Sequence, residues 1–209
     1  MKEIVLDNKL WRIKKWSSWF TYLPFVREVY LAGSLAMGES ESDSDWDVLV
    51  IVKGGRVFTA RFFVLLFFGL VGRRTSFVKG GDGFCFNHFV VGDFFDLEFA
   101  RNEYDKKVLG NLKLIYGTGE WLGRFLLRNE WVGVKINDLF LESPILILGE
   151  DTWFKKRFER VCSDWLEKKL QKIQEWKMKR SLRYLGSSNS VLITNENEVR
   201  LWFRPRANN

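Results

Sequence analysis

Cysteine and histidine are scarce in this chain of 209 residues, and each scarcity argues against a class of site. Two cysteines, Cys85 and Cys162, lie far apart in apolar or amphipathic segments, which favours buried free thiols in a reducing compartment over a disulfide or a metal site. The single histidine, His88, excludes a His-rich metal cluster. The first residues contain no apolar core of a signal peptide, so we expect a cytoplasmic protein.

Apolar runs long enough to span a bilayer are missing as well. One uninterrupted apolar run, residues 62–72, is too short and is bracketed by Arg61 and Arg73. We therefore expect a helix over residues 56–72 that covers one face of a sheet, and no stable membrane insertion. Peripheral membrane association through this segment is the alternative.

Hydrophobic and basic residues are plentiful. Hydrophobic residues make up 46% of the chain, which is enough for a sizeable core in one domain, or in one domain with a helical appendage. The formal net charge is +7, and the positive charge is concentrated between residues 155 and 183. Such a charge is compatible with a polyphosphate or nucleic-acid partner and proves neither.

Residues 29–52 carry the pattern with the clearest chemistry. An apolar run over residues 29–32 predicts a buried strand, which Gly33 and Ser34 end before a short helix. A second strand is predicted over residues 46–52, with Asp45 and Asp47 at its start. Side chains two apart on a strand share a face, so both carboxylates point the same way. Such a pair suits a shared divalent cation, and a glycine turn leading into a helix suits phosphate oxygens.

Gly33, Ser34, Asp45 and Asp47 together resemble the signature of the polymerase-β-like nucleotidyltransferase superfamily. In that signature, Gly-Ser is followed about ten residues later by a hydrophobic-flanked Asp-x-Asp. Most of the chain also resembles a group of uncharacterised bacterial and archaeal proteins with a nucleotidyltransferase domain. The resemblance implies an α+β fold, in which a small mixed sheet is flanked by helices. Residues 1–101 would form the core, and residues 102–209 a mostly helical region with a terminal hairpin.

The resemblance also implies a reaction. A nucleoside monophosphate would move from an NTP, such as ATP, to an acceptor hydroxyl on a small molecule, an RNA or a protein, and pyrophosphate would be released. Asp45 and Asp47 would hold two Mg²⁺ or Mn²⁺ ions, while Gly33 and Ser34 would bind the nucleotide. The alternative is a catalytically degenerate, antitoxin-like member of the fold that binds a nucleotide or a partner.

A third carboxylate is implied on a strand beside the Asp-x-Asp, as a metal ligand that activates the acceptor. Asp96 fits the hydrophobic-Asp-hydrophobic pattern best, and Glu98 shares its strand face. Asp96 would reach the site through a hairpin of two strands, residues 83–91 and 94–99. The first of these strands offers Asn87 and His88 where the acid is expected, so the absence of a third ligand remains an alternative.

The remaining segments are predicted from their periodicity. We expect helices over residues 6–20, 102–117 and 119–134, a long helix over residues 151–184, and a hairpin of residues 191–194 and 199–203. The basic face of the long helix is either solvated or faces the phosphates of a nucleic acid. Its apolar stripe is predicted to consist of Phe154, Phe158, Val161, Trp165, Ile173 and Trp176.

Overall fold

The computed structural model describes residues 2–38, 44–75, 82–97, 103–133, 151–185 and 190–203. The described strands form one mixed sheet of six strands, which confirms the α+β class. The strands are β1 Val26–Leu31, β2 Trp46–Val52, β3 Phe84–Val91, β4 Lys113–Tyr116, β5 Ser190–Thr194 and β6 Glu198–Phe203. Their order across the sheet is β4-β1-β2-β3-β6-β5. Both regions proposed from the sequence therefore contribute strands to the same sheet.

Seven α-helices accompany the sheet in the described part of the chain. They are α1 Lys2–Ser17, α2 Gly33–Ala36, α3 Val57–Leu70, α4 Glu103–Gly110, α5 Glu120–Arg128, α6 Trp153–Val161 and α7 Asp164–Leu185. Two 3-10 turns, Ser18–Tyr22 and Glu130–Val132, follow α1 and α5. None of the described helices is long and apolar enough to cross a bilayer.

The two faces of the sheet are covered by different helices. On the first face, Val48, Val50 and Val52 of β2 belong to a core that includes residues of α1, α3 and α7. On the second face, Leu49 and Ile51 belong to a separate core with residues of α4 and α5. Because strand residues alternate, Asp47 begins the row that faces the second side.

The apolar segment after β2 forms the predicted helix, α3, and its first turn is held by α7. The Glu167 carboxylate of α7 accepts hydrogen bonds from the backbone N–H groups of Phe58 (2.9 Å) and Thr59 (2.8 Å). These N–H groups lie in the first turn of a helix, where no intrahelical carbonyl is available to them. The contact therefore joins the first turn of α3 to α7 on the first face.

The prediction of one long helix over residues 151–184 was wrong. The helix ends at Val161, Cys162 is extended (ψ 121°), and α7 begins at Asp164. This break resets the phase of the apolar stripe, so α7 packs through Leu170 (8% exposed) and Met178 (4%). Most of the predicted stripe is exposed instead, namely Phe154, Val161, Trp165, Ile173 and Trp176.

The expected hairpin after β3 is also absent over its described residues. β3 is parallel to β2 on one edge and pairs with β6 on the other, so it has no free edge for residues 94–97. The Phe94 and Phe95 carbonyls instead accept side-chain hydrogen bonds from Trp121 Nε1 (3.4 Å) and Asn129 Nδ2 (3.2 Å). A strand was missed at β4, which had been predicted as the end of a helix and pairs antiparallel with β1.

Candidate functional site

The site is built where β1 turns through α2 and approaches the first residues of β2. Gly33 adopts a left-handed backbone conformation (φ +67°), which a residue with a side chain rarely adopts. A Cβ atom at this position would lie 2.7 Å from Asp47 Oδ2. The Ala32 N–H donates to the Asp47 carbonyl (2.9 Å), which holds the two segments together. Glycine is therefore required on two grounds, the turn and the close approach to the carboxylate.

Asp47 lies in a half-buried environment with Asp45 and Cys85 beside it. Burial raises the pKa of Asp47, the negative charge of Asp45 adds to this, and a hydrogen bond from Cys85 partly offsets it. Burial and the Asp47 carboxylate raise the pKa of Cys85 to about 12. The thiol is therefore protonated at neutral pH, and its S–H donates to Asp47. Cys85 is the residue of β3 that pairs with Asp47 across the sheet.

A cavity of about 110 Å³ opens on the second face beside Asp47. Gly33, strands β2, β3 and β6, and helix α4 surround it. The polar residues that line it are Asp47, Asn87, His88, Tyr104, Asp105 and Arg200. Two acids, one guanidinium and one imidazole thus meet in a space suited to a small charged group.

A β-bulge shapes the β3 wall of this cavity. Asp47 pairs with Cys85, whereas Leu49, only two residues further, pairs with His88. β3 therefore carries one extra residue in this interval, and both Asn87 and His88 line the cavity. Bulges of this kind re-aim side chains and are over-represented next to active sites.

His88 is paired with Glu198 on β6. The Nε2 atom of His88 lies 2.8 Å from Glu198 Oε1, and the two side chains are 13% and 1% exposed. Burial lowers the pKa of His88, although Glu198 acts in the opposite direction. The imidazole is therefore neutral at pH 7, and a carboxylate at Nε2 favours the tautomer in which Nε2–H donates to it. In that tautomer Nδ1 is a hydrogen-bond acceptor.

Arg200 supplies the positive charge of the cavity. It is the cross-strand neighbour of His88 on β6 and therefore projects from the same face. Burial lowers the pKa of Arg200, while Glu198 and Asp105 raise it. A guanidinium remains charged in proteins and presents several N–H donors, which suits phosphate oxygens.

The predicted site residues divide into two groups. Gly33 and Asp47 are in contact, Asp45 lies close enough to raise the pKa of Asp47, and Ser34 lies half-buried in the first turn of α2. Asp96 is exposed and is not among the residues that line the cavity, so its role as a catalytic residue and metal ligand stays a prediction. Glu98 lies outside the described residues.

The expected set of three metal ligands is not formed in the described ranges, where no three His, Cys, Asp or Glu side chains are grouped as metal ligands. The neighbouring carboxylates of Asp45, just before β2, and Asp47, within it, still suit a hard cation whose other ligands are water and phosphate oxygens. The protonated Cys85 thiol is a poor ligand for such an ion. Asp45 and Asp47 thus fit one divalent ion, and among the described residues no third carboxylate is grouped with them to hold a second ion.

His88, Glu198 and Arg200 were not predicted as site residues. Glu198 and Arg200 lie in the terminal hairpin, which was predicted as a structural element only. The available signal was the alternation of polar residues along that hairpin, with Glu198 and Arg200 two apart and so on one face. Nothing in the local sequence indicates that this face meets His88, which is 110 residues away.

Comparison with known protein families gives a match that includes part of this site. The family model of the nucleotidyltransferase domain matches residues 12–172, which is most of the chain and includes Gly33, Ser34, Asp45 and Asp47. No curated protein and no solved structure matches the chain. The family supports nucleotidyl transfer as the general activity and a nucleotide as the substrate. The chain therefore belongs to the nucleotidyltransferase domain family, within the polymerase-β-like superfamily.

Proposed function

We propose that the chain moves a nucleoside monophosphate from an NTP, with ATP as the first candidate, to an acceptor hydroxyl and releases pyrophosphate. The observation that carries the proposal is the contact of the Gly33 backbone with the Asp47 carboxylate, where a Cβ would lie 2.7 Å from Oδ2. Because no side chain stands at position 33, phosphate oxygens can approach the start of α2 and the carboxylate together.

Asp45 and Asp47 are the side chains that would hold a divalent cation, Mg²⁺ or Mn²⁺. When bound, such an ion supplies charge neutralisation and polarises the phosphate that is attacked. The backbone N–H groups of Gly33 and Ser34, in the first turn of α2, would donate to phosphate oxygens, as would the Ser34 hydroxyl. Arg200, which also lines the cavity, would donate to further oxygens of the triphosphate or of the acceptor.

We assign acceptor activation to His88 in place of Asp96. The acceptor oxygen attacks the α-phosphorus, the bond from phosphorus to the bridging oxygen breaks, and pyrophosphate leaves. The proton of the hydroxyl passes to Nδ1 of His88, and Glu198 stabilises the imidazolium through Nε2. A buried carboxylate that orients an imidazole and stabilises its charged form is a general solution for base catalysis.

The strand geometry leaves room for the reacting groups between His88 and Asp47. His88 pairs with Leu49, which is two residues along β2 from Asp47. With a rise of about 3.3 Å per residue and about 4.8 Å between strands, the Cα atoms of His88 and Asp47 are about 8 Å apart. An attacking oxygen about 3 Å from Nδ1 can therefore face a phosphate held beside Asp47.

The acceptor can be a small molecule, an RNA or a protein side chain.

We propose that residues 1–101 hold the nucleotide and that residues 102–209 complete the wall of the cavity through α4 and β6. We propose that the protein is located in the cytoplasm, a reducing compartment in which the thiols of Cys85 and Cys162 stay free.

The second candidate function is nucleotide binding without turnover, in a degenerate member of the fold. The observation that favours it is the missing third carboxylate beside Asp45 and Asp47 among the described residues. It predicts NTP binding with no release of pyrophosphate.

The test is incubation with each α-labelled NTP, Mg²⁺ and a mixed cell extract. We expect labelled products and stoichiometric pyrophosphate with at least one NTP, and no products above background with Asp45→Asn/Asp47→Asn. Asp96→Ala serves as the matched control, because this carboxylate is exposed, and it should keep turnover within about twofold of native. Binding of every NTP without pyrophosphate release would support the degenerate binder instead.

A further inference from the structure

The outer face of α7 carries exposed tryptophans in a basic setting that the proposed reaction does not use. Trp165 is 66% exposed and Trp176 is 59% exposed, although indole rings of this size are usually largely buried. The inner face of the same helix packs on the protein core through Leu170 and Met178. The helix is therefore fixed in place, with its tryptophans directed outward.

Each of these rings is covered on one side by a cation one helical turn later. Lys169 Nζ lies 4.5 Å from the centroid of the Trp165 ring, and the guanidinium of Arg180 lies 5.5 Å from that of Trp176. Cation–π contacts of this type favour one orientation of an exposed ring. A ring held in this way presents its other face to an incoming planar group.

The charge on the arc of α7 that carries the two rings has one sign. At 100° per residue, Trp165 and Trp176 differ by about 20° in direction and are separated by about 16 Å along the helix. Within about 60° of Trp165, the described side chains of α7 include no acidic residue. The exposed basic residues on this arc are Lys168, Lys169, Lys172, Lys179 and Arg180.

We propose that this outer face of α7 binds single-stranded nucleic acid. Bases of a single strand stack on the indole rings, and the lysine and arginine side chains neutralise the phosphates. The pattern suits unpaired rather than paired strands, because a ring can stack only on a base whose face is free. A membrane surface fits less well, since Leu170 and Met178 of α7 are already buried against the core and the described part of its outer face offers two rings for insertion.

This surface is independent of the nucleotide cavity. α7 packs on the first face of the sheet, with Val50 and Phe89, whereas the cavity opens on the second face beside Leu49 and His88. Binding to α7 therefore needs neither NTP nor a divalent cation. The proposal that α7 binds a single strand also stands whether or not that strand is the acceptor of the proposed reaction.

The test is fluorescence anisotropy with labelled U20 and dT20 strands, without NTP or metal, between 50 and 300 mM KCl. We expect binding to at least one strand, with a slope of log K against log[KCl] of about −3.5, since about five phosphates are neutralised at about 0.7 each. Trp165→Ala/Trp176→Ala should weaken binding at least tenfold. Lys169→Glu/Lys172→Glu should weaken binding and make the slope shallower.

A matched control lies on α1, where Trp11 is 63% exposed and Lys15 lies 5.6 Å from its ring. Trp11→Ala removes the same kind of pair from another surface and should leave strand binding unchanged. The proposal is overturned if neither strand binds at 50 mM KCl, or if the α7 double variant binds as well as native. The proposal would also be overturned if a duplex bound more tightly than the single strands. Binding to vesicles of phosphatidylcholine and phosphatidylglycerol that is as tight as binding to the single strands would overturn it as well.

Discussion

The prediction with the most direct structural basis concerns the charge on His88. Because His88 is the only histidine in the chain, its imidazole signals in an NMR spectrum can be assigned without ambiguity. We expect a neutral ring at pH 7, with the proton on Nε2 and a pKa below 6.5, since burial is the largest influence on this group. The assay is a pH titration of the ¹⁵N-labelled side chain.

The perturbation is Glu198→Gln, which keeps the size of the side chain and removes its charge. Glu198 raises the pKa of His88 through a hydrogen bond and through its negative charge. A hydrogen bond to a charged group contributes about 1.5–3 kcal/mol, which equals about one to two pH units. The pKa of His88 should therefore fall by about that much in the variant. Turnover should fall at least tenfold, because the tautomer is no longer fixed by a carboxylate.

The sign of the pH dependence follows from the lowered pKa. A general base must be neutral, so turnover should be constant above the pKa of His88 and should be lost as the pH falls through it. Folding stability should follow the same direction, because the unfolded chain binds a proton near pH 6.5 that the native chain does not. The contribution of His88 to the free energy of unfolding is complete above about pH 6.5 and decreases as the pH falls below this value.

Three results would refute this reasoning. The first is a native imidazole that titrates above pH 6.5, and the second is a native imidazole with its proton on Nδ1. The third is a pKa of His88 that is higher in Glu198→Gln than in the native protein. Leu49 of β2 pairs with His88, Arg200 and Glu198 face it from β6, and Asp105 and Tyr104 of α4 line the same cavity. A raised pKa would mean that Glu198 outweighs burial and the charge of Arg200.

Three further predictions test the remaining parts of the account. Gly33→Ala should cost about 1–2 kcal/mol in unfolding free energy, from the left-handed backbone, and should weaken NTP binding because its Cβ displaces the Asp47 carboxylate. In calorimetry, Mg²⁺ should tighten NTP binding to the native chain, and Asp45→Asn/Asp47→Asn should abolish this coupling. Lys155→Met should destabilise the fold by about 2–4 kcal/mol in urea unfolding, because Lys155 is fully buried and donates to the Val26 carbonyl (2.6 Å).

Two of these predictions have a matched control variant, and the third has a result that would contradict it. Gly55→Ala also replaces a glycine with a left-handed backbone (φ +66°), but nothing lies within 4 Å of its added Cβ, so it should lose stability without losing NTP affinity. Equal NTP affinity with and without Mg²⁺ in the native chain would contradict the cation site. Lys156→Met replaces an exposed lysine next in sequence, and a similar loss from both variants would show that the buried contact of Lys155 is not the cause.

The part of the site that could be predicted from sequence is the part that is local in sequence. Gly33 and Asp47 are close along the chain, and a strand, a glycine turn and a second strand are enough to bring them together. β2 was predicted with its observed bounds because its apolar run is continuous and ends at a glycine turn. The six-stranded arrangement could not be derived, since strand order depends on pairings such as β3 with β6.

The remainder of the site depends on contacts that no local pattern encodes. Asp96 was chosen for its hydrophobic-Asp-hydrophobic pattern and would have reached the site through a hairpin, but β6 occupies the edge of β3 that this hairpin needed. The same pairing places Glu198 beside His88. The outward direction of Trp165 and Trp176 was missed for a different reason, since one break at Cys162 changes the phase of every later position on the helix.

The measurement that tests the central claim most directly compares the fate of two labels on the same NTP. The native chain is incubated with α-labelled or γ-labelled NTP, Mg²⁺ and extract, with Asp47→Asn alongside. The account predicts that the α-label appears on the acceptor, that the γ-label appears only in pyrophosphate, and that Asp47→Asn yields neither. Transfer of the γ-label to the acceptor, or equal α-label transfer by Asp47→Asn, would contradict it.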